Sequence, residues 1–78
     1  MTVRPNPATL STNQQQTFAV TIVECSGTKV VWSVNESDGG TITDQGVYTA
    51  PDHPGTFHVT AACDKDRRVS DTVTITVL

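Results

Sequence analysis

The segment "TFHVTAACDKDRRVSDTVTITVL", residues 56–78, decides the fold. Its first part sets Phe57, Val59, Ala61 and Cys63 on one face against His58 and Thr60 on the other. Its last part sets Val73, Ile75 and Val77 against Thr72, Thr74 and Thr76. A period of two is the pattern of a strand with one face on a core and one in water. Between them "DKDRR", Asp64 to Arg68, reads as a solvated turn, because Asp64 and Asp66 interrupt the basic run Lys65, Arg67 and Arg68.

The same period recurs toward the start of the chain. "QTFAVTIVE" places Phe18, Val20 and Ile22 on one face and Thr17, Ala19 and Thr21 on the other. "KVVWSV" aligns Val30, Trp32 and Val34, which makes Trp32 the expected core anchor of a central strand. "VRPNPATLS" reads as an edge strand that breaks at Pro5 and Pro7 and resumes around Leu10, since proline cannot donate to a ladder. No stretch carries a helical period, and Thr and Val, which suit a pleated surface, dominate.

"GGTITDQGVYTAP", residues 39–51, is too polar for a long buried strand. It reads as two very short strands, "TIT" and "GVYT", around a turn at Asp44-Gln45-Gly46. Gly39 and Gly40 can supply positive φ there, and Pro51 ends the run. With "CSGT", "SDGG" and "PDHPG" as further turn signals, the expectation is an all-β chain: an immunoglobulin-like β-sandwich of about seven short antiparallel strands, with a small barrel as the other arrangement.

Composition narrows the function classes. The 78 residues make one small domain, residues 1–78, which buries only about 60% of its unfolded surface. A net charge of −3 with five Lys+Arg gives no electrostatic footprint for nucleic acid or an anionic membrane. No apolar run approaches the roughly 20 residues of a spanning helix, so no membrane insertion is expected. Met1 opens with neither a basic start nor an apolar h-region, and "VTITVL" ends in full alternation. The expectation is a segment cut from a larger multidomain protein.

Several pieces in order carry a resemblance: Val3-Arg4-Pro5, "QQTFAVTI", Val30-Val31-Trp32-Ser33-Val34, "GTI" with "GVYTAP", "GTFHVTA" at Gly55 to Ala61, and the terminal "TVTITV". Together they resemble the bacterial immunoglobulin-like domains of the group-2 type, found in tandem on bacterial surface proteins. The resemblance spans nearly the whole chain. It implies an extracellular or cell-surface module of an exported bacterial or phage protein: an adhesin-like stalk unit or an accessory domain of a secreted enzyme. Its partners would be neighbouring domains of the same chain, with a glycan or host protein as a ligand in the alternative reading, and the isolated domain would be a monomer. It brings no catalytic residue, cofactor or metal with it. The chain departs from the family in having Cys25 and Cys63. It departs from antibody domains in having Ala61, not Tyr, two residues before the second Cys.

Those cysteines form the one candidate pair. In the implied topology both lie at one end of the sandwich, where a bridge would tie the two sheets and imply an oxidising location. Cys63 is in phase with its inward neighbours, whereas Cys25 is out of phase with Phe18, Val20 and Ile22, so two free thiols stay open as the alternative. The remaining candidates read as structural or solvated. His53 sits in a Pro-rich turn and His58 on an outer face, so neither suggests a catalytic site. The acidic clusters Asp64, Asp66 and Asp71, and Glu36 with Asp38, lack the spacing of a calcium loop. Asn35-Glu36-Ser37 matches a glycosylation sequon. Trp32 would serve a core better than a sugar platform, and Tyr48 is the aromatic left with uncertain exposure.

Overall fold

A computed structural model describes residues 1–21, 29–65 and 68–78. Among them the chain is all-β and sandwich-like, with strands β1 (Thr2–Arg4), β2 (Ala8–Leu10), β3 (Gln15–Thr17), β4 (Ala19–Thr21), β5 (Val30–Val34), β6 (Thr41–Ile42), β7 (Val47–Thr49), β8 (Gly55–Cys63) and β9 (Ser70–Val77). Hydrogen bonding orders them as β2-β9-β8-β5, β1-β4 and β3-β7-β6. Phe18 alone separates β3 from β4, and its N–H is satisfied by the Gly46 carbonyl at 2.9 Å. The two smaller sheets therefore continue into one another.

The alternating residues fill the interior as the period requires. Phe57, Val59, Ala61 and Cys63 of β8 and Val73, Ile75 and Val77 of β9 are all buried, and all of these but Cys63 form one core cluster with Val3, Leu10, Phe18 and Tyr48. The β8–β9 pairing runs from Gly55↔Val77 to Ala62↔Ser70, which leaves His58 opposite Thr74 and Thr60 opposite Thr72 on the outer face. Of the expected β4 face, Phe18 is buried and Val20 is half-buried; Ile22 lies outside the described residues.

Three expectations need correction. First, there are nine strand segments among the described residues, where about seven were expected, because the first and second strands are each interrupted. Second, the sheet is not wholly antiparallel: β2 pairs in parallel with β9, Leu10 opposite Val77. The chain leaves β1, passes Pro5 and Pro7 without reversing, and joins the other sheet in the same direction. Side chains span this gap, where the prolines offer no donor. The Asn6 amide donates to the Thr72 carbonyl at 3.3 Å and accepts from the Thr74 N–H at 3.4 Å. Asp71 Oδ2 accepts the Val3 N–H at 2.9 Å.

Third, β5 is an edge strand of the four-stranded sheet, and Trp32 is only half-buried against the core. No strand pairs with the outer edge of β5 among the described residues. The anchor role falls to Tyr48, which is 0% exposed.

The segment 39–51 forms the two short strands its sequence suggests, with Ile42 opposite Tyr48. Gly40 takes φ 93° and Gly46 φ 82°, a backbone region that glycine enters at little steric cost. Gly39 is not in that region, and its small size matters differently: a Cβ there would stand 2.8 Å from Val34 Cγ1.

Candidate functional site

The titratable residues gather where the turn after β5 meets β8. The β5–β8 register pairs Val34 with Val59. The Asn35 N–H then donates to the His58 carbonyl at 2.8 Å, which carries Glu36 alongside His58. Both carboxylate oxygens of Glu36 are engaged by that one residue: Oε1 accepts the His58 N–H at 2.8 Å, and Oε2 lies 2.6 Å from Nδ1. The hydrogen bond from the His58 side chain holds the Glu36 carboxyl below its ordinary value, against a smaller opposing effect of burial. Both side chains are about a third exposed, at 38% for His58 and 32% for Glu36.

A second histidine lies close by. His53 Nε2 is 3.5 Å from Asp38 Oδ2 and its Nδ1 is 3.2 Å from Asp52 Oδ1, and the ring meets Phe57 edge-on at 5.7 Å. These groups are well exposed, and exposed pairs of this kind contribute little. Among the described residues no group of three or more His, Cys, Asp or Glu is arranged to hold a metal ion.

The arrangement acts as a clasp. Glu36 fastens the turn onto β8 through both of its carboxylate oxygens. Sequence reasoning kept Glu36 and His58 apart because they are 22 positions apart in the chain. Only the strand register brings them together, and no local motif encodes it.

The acidic loops are partly committed elsewhere. Asp71 accepts the Val3 N–H through Oδ2 and the Thr72 N–H through Oδ1 at 3.1 Å, so it fastens backbone. Asp66 and Arg67 lie outside the described residues. Asn35 Oδ1 accepts from the Thr60 hydroxyl at 2.8 Å, which in turn meets the Thr72 hydroxyl at 3.1 Å. Tyr48, the aromatic of uncertain exposure, is withdrawn from any binding surface: it is fully buried and its hydroxyl donates to the Gly39 carbonyl.

Cys63 closes β8 in the interior at 0% exposure. There is no free cysteine among the described residues. The expected bridge also involves Cys25, which lies outside them.

A scan against known protein families finds none that matches this chain. A search of curated proteins finds no match either.

Proposed function

We propose that the chain is an immunoglobulin-like module of the bacterial group-2 type, serving as a non-enzymatic structural unit of an exported bacterial or phage surface protein. The topology part of this reading is supported by the pairings. If β3–β4 is one strand and β1–β2 one interrupted strand, the layers become first-second-fifth-fourth and first-seventh-sixth-third, the strand order of such a sandwich. An exported location and a Cys25–Cys63 bridge belong to the same proposal, because a structural bridge persists only in oxidising surroundings.

The observation that carries the structural role is the direction of the first and last strands. Val3 lies beside Asp71 at the start of β9, while the Leu78 N–H donates to the Leu10 carbonyl at the far end of that strand. Residues 2 and 78 thus face opposite ends of a body whose Cα extents are 37 × 20 × 17 Å. Units with that geometry extend when joined head to tail. Two copies linked directly, Leu78 to Thr2, should give a scattering particle longer than one copy by roughly the 37 Å long axis. A folded-back particle no longer than a single copy would overturn the reading.

A further inference from the structure

Trp32 is the sole tryptophan and the one aromatic of the sandwich that the core leaves partly exposed; Phe18, Tyr48 and Phe57 are all buried. Its ring is held in place. Phe18 stacks on it at 6.4 Å with an interplanar angle of 29°. The backbone of Gly46 lies so close that a Cβ there would stand 2.9 Å from indole Cζ2 and 3.1 Å from Cε2. Gly46 is fixed in turn, since its carbonyl accepts the Phe18 N–H and its own N–H donates to the Thr43 carbonyl at 3.1 Å.

The indole borders an open cleft of about 360 Å³ between the edges of the two layers. Val20 and Val30 continue its apolar floor, and Lys29, Asp44 and Gln45 stand around it. Asp44 and Gln45 are the exposed tip of the β6–β7 turn, which the Thr43 hydroxyl supports by accepting the Gln45 and Val47 N–H groups at 3.3 and 3.2 Å. Among the described residues no hydrogen bond or ion pair occupies the carboxylate, amide or ammonium of these three side chains. The cleft therefore offers a rigid aromatic surface, two planar polar groups and one cationic donor.

We propose that this cleft is a carbohydrate subsite for a neutral pyranose, its C–H face against Trp32 and its hydroxyls on Asp44, Gln45 and Lys29. The chemistry favours that class. A sugar is an uncharged polyol with one apolar face, so it uses the indole and the polar rim together. One acid and one base on the rim of the same cleft disfavour a strongly charged ligand of either sign. An open, shallow cleft suits a single ring resting on a surface better than an enclosed small molecule. Fixing the indole beforehand lowers the ordering cost of binding, as weak subsites need. The inference goes beyond the structural-module proposal and does not rest on it. A stalk unit with a side-facing sugar contact is still a stalk unit, and scattering and titration test the two separately.

The experiment follows the emission of Trp32 as the chain is titrated with methyl glucopyranoside, galactopyranoside and mannopyranoside, N-acetylglucosamine and their neutral trisaccharides. At least one should give a saturable emission change with a dissociation constant of about 1 mM, in the weak range expected of one stacked ring and a few hydrogen bonds. Gln45→Ala and Asp44→Asn change exposed turn-tip residues. Each should weaken that binding about fivefold, the equivalent of one lost hydrogen bond, with the urea midpoint unchanged. The absence of a saturable response to every sugar by the folded chain overturns the proposal. So does binding that survives the combined Asp44→Ala and Gln45→Ala change.

Discussion

The Tyr48 hydroxyl donates a hydrogen bond to the Gly39 carbonyl, so the one tyrosine closes the segment 39–51 from within the core. Its side chain is fully enclosed and stacks obliquely on Phe18 at 6.2 Å. Tyr48→Phe keeps the ring but leaves the buried Gly39 carbonyl without this donor. A loss of about 1–3 kcal/mol is expected, which lowers the thermal midpoint by several degrees in a chain of this size. Burial, and secondarily the Glu36 charge, raises the phenol above its ordinary value of 10.0. Stability from the neutral phenol is therefore present below pH 10.0 and lost as pH rises through the folded value. Absorbance of the single tyrosinate should lag behind a free phenol and then rise with unfolding. A titration like that of free tyrosine in the folded chain contradicts this.

The Glu36–His58 clasp should show itself on the acid side. The folded Glu36 carboxyl lies below its ordinary value of 4.5, so its contribution is present above that pH and disappears as pH falls through the folded value. Glu36→Gln should cost at most about 1 kcal/mol near neutrality, given the partial exposure of both partners. The cost should vanish in acid, where the parent carboxyl is protonated as well. Urea midpoints of parent and variant at the two pH values check this, and an equal gap at both would contradict it.

How far these features were legible differs by element. The alternation of β8 and β9 predicts every one of their buried residues except Ala62, because one-sided burial along an extended strand has a period of two and Ala62 is buried out of that phase. The interruption at Pro5 and Pro7 was equally readable, since a missing N–H is a local property. The parallel partner of β2 was not. It depends on which sheet the chain joins after the prolines, and Asn6 and Asp71 declare their part only through distant backbone groups. Trp32 failed for a related reason: phase gives the face a residue points to, not how fully that face is covered. Glu36 and His58 required the β5–β8 register.

Trp32→Ala should now cost about 1–3 kcal/mol, below the range for a wholly enclosed aromatic, because part of the indole already faces water. Emission of the parent should sit between buried and solvent-like, and it should respond to a neutral quencher such as acrylamide. Complete protection from the quencher would restore Trp32 to the deep core.

The proposed Cys25–Cys63 bridge would close a loop of about 39 residues, for which the chain-entropy estimate is about 4 kcal/mol. Intact mass before and after reduction should differ by two hydrogens in protein prepared under air. Reaction of both thiols with an alkylating reagent in the absence of reductant contradicts the bridge.

The adjacent glycines 39 and 40 should respond unequally to the same change. At Gly40, φ is 93° and a Cβ would stand 2.2 Å from the Thr49 carbonyl oxygen and 3.1 Å from the Pro51 nitrogen. Both are backbone atoms, and Thr49 belongs to β7, which is held by β3 and β6 on either side. Nothing there can yield without opening the pairing, so Gly40→Ala adds a backbone collision to the cost of a left-handed residue. A loss above about 2 kcal/mol is expected. At Gly39 φ is ordinary, and the nearest atom to an added Cβ is Val34 Cγ1 at 2.8 Å. Val34 is a half-buried side chain that can shift, and Phe57 Cδ1 at 3.1 Å and the Glu36 carbonyl oxygen at 3.2 Å need give only a few tenths of an ångström, so Gly39→Ala should cost about 1–2 kcal/mol, less than Gly40→Ala. Urea unfolding of the two single variants measures the difference. Equal losses would mean that the positive φ of Gly40 and its approach to Thr49 do not govern this turn.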